Sequence, residues 1–137
     1  MADRISSADR SKLMGRVRSK NTAPELAVRK ALHAAGFRFR LHRRDLAGRP
    51  DIVLPRFRLA IFVHGCFWHG HDCRRGRLPE DNAEFWAKKI DRNKARDAAA
   101  HATLSQAGWI VETIWQCELK NGLEPLIEHL RMLRERP

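Results

Sequence analysis

Long hydrophobic runs are missing from this sequence. Near its centre the longest purely apolar stretch is Leu59 to Val63, which is far too short to cross a bilayer. The N-terminal segment MADRISSADRSK is polar and has no apolar signal core. No long basic amphipathic segment with a large aliphatic face stands alone, which argues against a membrane surface as partner. We therefore expect a cytoplasmic protein that binds no membrane.

Acidic residues are in deficit. The 137 residues include 16 Asp and Glu against 27 Lys and Arg, which gives a formal net charge of +11. A charge excess of this size favours a nucleic acid as partner. The length suits one domain with one core. A hydrophobic content of 43% argues against a largely disordered chain. We expect the folded chain to be a monomer.

Cysteine is scarce, with three residues in all. An odd number in a reducing compartment disfavours disulfides and makes metal binding the main alternative. Cys66, His71 and Cys73 are closely spaced. Cys117 joins them by elimination and because it follows the last predicted strand. Three thiolates and one imidazole complete a zinc shell with no position open to water, so we predict a structural zinc. Isolated buried thiols, or a histidine bonded to backbone, are the alternative.

Residue patterning predicts an α/β fold. In chain order the predicted elements are a helix over 22–36, strands over 37–41, 51–54 and 59–63, a long helix over 82–107, a strand over 109–115 and a terminal helix over 122–134. The first three strands are predicted to form an antiparallel meander. The long helix and the strand after it complete a βαβ unit, which predicts a parallel pairing with a central strand.

Both long predicted helices have an apolar face. The first has a capping box at Thr22 and Glu25. Its predicted buried stripe is Leu26, Ala27, Ala31, Leu32 and Ala35. The second is predicted to bury Phe85, Trp86 and Ile90 in its first half and to pack closely through Ala98, Ala99 and Ala102 in its second half.

Residues 1–21 are a basic, polar N-terminal segment, and residues 22–137 are predicted to form a single domain. The segment contains Arg16, Arg18 and Lys20. It is predicted to be an arm that crosses DNA phosphates, with a solvated tail as the alternative.

Asp51 starts a predicted strand after Gly48-Arg49-Pro50. A carboxylate at a sheet edge suits a hard cation such as magnesium, which supports nuclease chemistry. The alternative is an Asp that only ends a turn. His64 and His69 remain once zinc has its ligands, and either is a candidate general base. A backbone-bonded or alternative zinc-binding histidine stays open for both. Glu25 is explained by its cap, and a catalytic or metal-linked role would be additional.

Aromatic residues stand among basic ones in and after the long loop over residues 64–81, whose length is typical of functional loops. Phe67 and Trp68 are candidates to wedge between base pairs. Trp86 is a third candidate, with a core position as its alternative. The candidate phosphate contacts are Arg74, Arg75, Arg77, Lys88, Lys89 and Arg92; ordinary solvated charge is the alternative.

Five segments together resemble one known family. GRPDIVL, AIFVHGCFWHGHDC, EFWAKKIDRNKARD and GWIVETIWQCEL, in that order, and the upstream RSKLMGRVRSKNTAPE closely resemble the very-short-patch-repair (Vsr) DNA mismatch endonucleases. The resemblance covers about Ser11 to Leu119. It implies a restriction-endonuclease-like mixed sheet flanked by helices, with a zinc-stabilised loop. It also implies magnesium-dependent nicking of duplex DNA 5′ of the thymine in a T:G mismatch. Because such mismatches arise when 5-methylcytosine deaminates, a cytosine-5 DNA methyltransferase is the implied companion.

The resemblance also implies roles for individual residues. Asp51 would be the metal-binding catalytic carboxylate and His69 the general base, with His64 and Glu25 around them. Phe67, Trp68 and Trp86 would wedge into the DNA, and the arm would clasp the duplex. The implied zinc ligands are Cys66, His71, Cys73 and Cys117.

The sequence departs from its relatives on the third predicted strand. Nucleases of this fold often carry an acidic residue and a lysine there, whereas this chain has Phe62-Val63-His64. Better-known Vsr proteins have threonine in place of Val63. A magnesium contact through the backbone carbonyl of residue 63 survives this change, whereas one through the threonine hydroxyl does not.

Two other functions stay open. The first is a nuclease of the same fold with a looser or different specificity, such as a partner of a restriction-modification system. The second is a zinc-stabilised DNA-binding module without catalysis. Asp51 and His69 argue against the second, because binding alone needs neither.

Overall fold

A computed structural model describes residues 22–136, so the predicted arm over residues 1–21 lies outside the described residues. Its main elements are α1 (Ala23–Ala34), β1 (Arg40–Leu41), β2 (Ile52–Leu54), β3 (Leu59–His64), α2 (Ala83–Gln106), β4 (Ile110–Trp115) and α3 (Leu119–Arg134). The predicted order of helices and strands is confirmed. No helix in the described part is long and apolar enough to cross a membrane.

The four strands form one mixed sheet in the order β1-β2-β3-β4. β1 and β2 pair antiparallel, as do β2 and β3, which confirms the meander. β4 pairs parallel with β3, from Leu59 opposite Ile110 to His64 opposite Trp115. α2 makes the crossover between them, as the βαβ pattern predicts.

Helices cover both faces of the sheet. α1 and α3 pack on one face in a core that includes Leu32, Ile61 and Leu130. On the other face Leu104 of α2 packs against Ala60 and Phe62 of β3. β3 therefore supplies side chains to both cores, which is why nearly all of it is buried.

The first helix begins with the predicted cap but buries a different stripe. The Thr22 hydroxyl accepts from the backbone N–H of Glu25 at 3.4 Å, and Gly36 follows the helix with φ +85°, which suits glycine. The buried residues of α1 are Glu25, Val28 and Leu32. The prediction of Leu26 as a core residue was wrong, because it lies outside this stripe and is exposed.

The other differences have local causes. β1 is shorter than predicted because the N–H of Phe37 still bonds to the Leu32 carbonyl at the helix end. Phe85 is exposed, and Ala100 replaces Ala98, Ala99 and Ala102 as the buried alanine of α2. α3 begins at Leu119, three residues earlier than predicted, and contains Pro125 in its interior, where proline donates no intrahelical backbone hydrogen bond.

Candidate functional site

The candidate residues gather at one end of the sheet. Asp51 directly precedes β2, and its carbonyl accepts from the backbone N–H of His42 at 3.1 Å just after β1. His64 is the last residue of β3 and pairs with Trp115, the last residue of β4. The strands β1, β2 and β3 and the loop after β3 therefore bring their polar groups to the same end of the sheet.

The turn before Asp51 is fixed by close packing. Gly48 has φ +74°, and a Cβ at this residue would lie 2.6 Å from the Cβ of Ala100 in α2, so glycine is required twice over. Arg49 also has positive φ, at 51°, and Pro50 is buried. The turn thus holds Asp51 against the sheet in a single position.

Asp51 has one anchored and one open carboxylate oxygen. Its Oδ2 accepts from the backbone N–H of Val63 at 2.7 Å, while Oδ1 has no hydrogen-bond partner within residues 22–136. Burial raises the pKa of Asp51 to about 6; the Val63 bond opposes this shift and the nearby Glu25 carboxylate adds to it. A desolvated carboxylate with an open oxygen is a suitable ligand for a hard cation.

Glu25 and His42 complete a group around Asp51. One ligand atom from each of the three residues lies within 4.8 Å of the others. Glu25 is 1% exposed; its carboxylate bonds to His42 Nε2 at 2.8 Å and also accepts from Arg29. His42 has φ 48°, a conformation that costs free energy in a non-glycine residue and is found at functional sites. Glu25 therefore faces Asp51 as well as serving in the first turn of α1.

His64 and His69 stack beside this group. Their ring centroids are 3.7 Å apart, and the planes differ by 2°. His64 is 8% exposed, and its Nδ1 is buried with no hydrogen-bond partner in the described chain. Burial, and then the neighbouring His69, lower the pKa of His64 to about 4. His64 is consequently neutral near pH 7.

Asp97 of α2 orients His69. Its Oδ2 lies 2.6 Å from His69 Nδ1, so Nδ1 carries the proton that it donates to the carboxylate. In the neutral form of the ring, Nε2 is then the acceptor. A carboxylate that fixes the histidine tautomer is a recurring feature of sites with a histidine base.

Two polar residues of α2 hold the loop after β3. Asn93 Nδ2 donates to the carbonyl of Trp68 at 2.9 Å, and Asp97 bonds to His69. Both fall on the helical stripe that continues through the buried Ile90 and Ala100. On this stripe of α2, Asn93 and Asp97 therefore hold the loop by hydrogen bonds, whereas the apolar residues of the stripe pack against the core.

The four predicted zinc ligands come together. Ligand atoms of Cys66, His71, Cys73 and Cys117 all lie within 4.8 Å of one another. Cys117 Sγ is 3.3 Å from His71 Nδ1, and the backbone N–H of Cys117 points to Cys66 Sγ at 3.4 Å. Three sulfurs and one imidazole nitrogen at such spacing fit a tetrahedral zinc ion.

The turns of this loop leave no room for another side chain at Gly76. A Cβ there would lie 1.9 Å from the backbone oxygen of His71 and 3.3 Å from that of Cys66. The His71 ring also stacks on Trp115 at 4.2 Å, and Trp115 meets His64 edge-on at 5.1 Å. Trp115 therefore contacts both His71, a predicted zinc ligand, and His64 of the histidine pair.

The three predicted wedge residues form one aromatic cluster. Phe67 meets Trp68 at 5.1 Å and Trp86 at 5.4 Å, both edge-on, and the Lys89 ammonium lies 5.8 Å from the Trp68 ring. Trp86 is 4% exposed, whereas Phe67 and Trp68 are partly exposed. As the cluster stands, Trp86 supports the other two rings, and its own insertion would require that it be uncovered.

The predicted phosphate contacts are exposed or lie outside the described residues. Arg74 and Arg75 are exposed in a 3₁₀ turn of the loop after β3, and Lys88 and Lys89 are exposed on α2. Arg16, Arg18 and Lys20 belong to the segment outside the described residues.

Sequence patterns did not single out His42, Asp97 or Trp115. The predicted hairpin contained the signal for His42, since antiparallel pairing sets it opposite Asp51. Asp97 was detectable as a polar residue in an apolar helical stripe. Trp115 looked like any strand residue, and only the sheet register shows that it neighbours His64.

Known proteins resemble this chain over most of its length. The sequence profile of the DNA mismatch endonuclease Vsr family matches residues 2–75. A type II nicking enzyme, V.XorIIP of Xanthomonas oryzae pv. oryzae, is 57% identical over 121 residues, which cover 88% of this chain and 89% of that protein. The DNA mismatch endonuclease Vsr of Escherichia coli is 40% identical over 128 residues, which cover 93% of this chain and 81% of that protein.

These relatives and the site define a DNA endonuclease. The predicted enzyme class is thereby confirmed, and a DNA-binding module without catalysis is set aside. The chain belongs to the Vsr DNA mismatch endonuclease family.

Proposed function

We propose that this endonuclease nicks one strand of duplex DNA 5′ of the thymine in a T:G mismatch and depends on magnesium. The observation that carries the proposal is the meeting of Asp51 with the His69–Asp97 pair at one end of the sheet, beside the loop that bears Phe67 and Trp68. The names of the relatives support nicking and mismatch recognition. A restriction-endonuclease-like fold is part of the proposal, supported by the mixed sheet with its carboxylate at the start of β2.

His69 is the general base of this proposal. Its Nε2 accepts the proton of the attacking water, and Asp97 holds the ring in the required tautomer and stabilises the imidazolium that forms. The low pKa of His64 makes it a poor base at neutral pH. His64 instead supports the His69 ring by stacking, and Glu25 sets the charge around Asp51.

Two metals fit the residues present. Asp51, with the backbone carbonyl of Val63, would hold magnesium, which neutralises the charge that develops on the phosphate during hydrolysis. The cluster of three cysteines and His71 would hold a structural zinc ion, which stabilises a long loop that cannot bury a core of its own.

The same loop serves recognition. Phe67 and Trp68 wedge into the duplex beside the mismatch, and Trp86 supports them from behind. Phosphates are contacted by Arg74, Arg75, Lys88 and Lys89. The N-terminal segment, which contains Arg16, Arg18 and Lys20, clasps the duplex. A cytosine-5 DNA methyltransferase makes the 5-methylcytosine whose deamination gives the mismatch, so it is the proposed companion. The enzyme is also proposed to be monomeric and cytoplasmic.

A second candidate is a nickase of the same fold with a different sequence preference. The relatives named as type II nicking enzymes favour it. Base-edge contacts decide between the two candidates.

The variant Asp51→Ala tests the catalytic assignment. We expect magnesium-dependent nicking of a T:G duplex to be lost while DNA affinity stays within about twofold, because the carboxylate serves chemistry. The measurements are a strand-nicking assay and a binding titration on the same duplex. A parallel loss of binding and nicking would show that Asp51 is needed for the DNA interface instead.

A further inference from the structure

A second concave surface lies at the other end of the β1–β2 hairpin from Asp51. It is a cleft of about 490 Å³ between the last turn of α1, the segment leading into β1 and the turn after β2. Its main lining residues are His33, Phe37, Arg38, Phe39, Arg40 and Arg56. We call this surface the basic groove.

The charge of the basic groove is not balanced by acidic residues. Arg38, Arg40 and Arg56 are exposed, and no carboxylate within residues 22–136 pairs with them or lines the cleft. Phe37 lies at the base of the groove, and the guanidinium of Arg134 lies 4.4 Å from its ring. Like charges held together without counter-charges attract anions.

The distance from Asp51 to the basic groove can be measured along two elements. Along β2, Asp51 and Pro55 are four residues apart, or about 13 Å. Along α1, Glu25 beside Asp51 and His33 in the groove are eight residues apart, or about 12 Å. Successive base pairs of B-DNA rise by about 3.4 Å, so either distance corresponds to about four base pairs.

We propose that the basic groove binds the phosphate backbone of the DNA being nicked, about four base pairs to one side of the nicked bond. This inference rests on the proposed nicking at Asp51. A duplex that runs along the β1 edge passes both sites, and guanidinium groups suit phosphate oxygens. Such contacts carry no sequence information but fix the register of the protein on the duplex.

The double variant Arg38→Ala/Arg56→Ala tests the proposal in binding titrations at several salt concentrations. On a duplex with long flanks, we expect the slope of log affinity against log salt to shrink in magnitude by about two. On duplexes cut to two base pairs on one flank, the difference from the unmodified protein should vanish for one flank and persist for the other. Both residues are exposed, so we expect the variant to fold.

The matched control is Arg38→Lys/Arg56→Lys, which keeps both charges and should retain the salt slope. An unchanged slope in the alanine variant on every duplex would overturn the proposal and leave the basic groove to an acidic protein segment. A difference that persists equally after either flank is shortened would also overturn it. The salt slope on the long duplex needs no mismatch preference, whereas the flank comparison uses the mismatch to fix the position of the protein. A failure of T:G specificity in nicking assays is therefore a separate result from the salt slope.

Discussion

Asp97 orients His69 through a single hydrogen bond, and its removal tests the assigned base. We expect Asp97→Asn to lower the nicking rate by about 10²- to 10⁴-fold, because an amide can stabilise the wrong tautomer and carries no charge for the imidazolium. Single-turnover nicking on a mismatched duplex measures the rate. The matched control is Asp91→Asn, an exposed carboxylate on the same helix. A variant at residue 97 that nicks within twofold of the unmodified rate would contradict the assignment.

Asp51 carries a stability cost that depends on pH. Its folded pKa of about 6 lies above the ordinary value of 3.8, so the folded state binds this proton more tightly than the unfolded state. The contribution of Asp51 to stability therefore falls as pH rises from about 4 to about 6 and is constant above that. The pKa of His64 is lowered, so its effect is the opposite. Its contribution to the stability of the fold is lost as pH falls from about 6.5 to about 4.

The variant Asp51→Asn isolates the carboxylate, because the His64 effect is common to both proteins. Without added magnesium we expect the variant to be more stable by on the order of 1–2 kcal/mol at pH 7.5, and the gain to shrink at pH 5. Urea unfolding at the two pH values measures it. Added magnesium should stabilise the unmodified protein and leave the variant unchanged. An equal gain at both pH values would contradict the raised pKa.

The loop that carries the proposed zinc ligands Cys66, His71 and Cys73 depends on a close backbone approach at Gly76. We expect Gly76→Ala to reduce bound zinc below one ion per chain and to destabilise the protein by about 1–3 kcal/mol, because the new methyl group collides with the His71 carbonyl. Metal analysis and thermal unfolding measure both effects. Gly65→Ala is the control in the same loop, since its Cβ would meet only Trp68, at 3.9 Å. Equal zinc content in the two variants would contradict this account of the loop.

Elements with strong periodicity were predictable from the sequence, and their ends were not. The alternation at residues 37–41 predicted a five-residue strand, but the chain stays bonded to the end of α1 through Phe37. In α2 the period of 3.6 residues was correct, yet the exposed Phe85 and the buried Ala100 depend on which side faces β3. That choice is made by tertiary packing, which a single helix does not encode.

The site as a whole was predictable where ligand chemistry is specific. Three cysteines and a histidine have few uses together, so their grouping could be read from residue types. Residue type alone does not identify His42 and Asp97, because each becomes functional only when β1 pairs with β2 or when α2 crosses the sheet. The site thus combines one loop that its cysteines and histidines make recognisable with residues, such as His42 and Asp97, that only the strand pairing and the helix crossover bring close.

Magnesium-dependent nicking at a T:G mismatch is the central claim for the whole molecule. Its most direct test is a nicking assay with magnesium on three duplexes that differ only in carrying T:G, T:A or C:G at one position. We expect one strand of the T:G duplex to be cut 5′ of the thymine, far faster than either paired duplex, and no cutting without magnesium. Equal cutting of all three duplexes would contradict mismatch recognition.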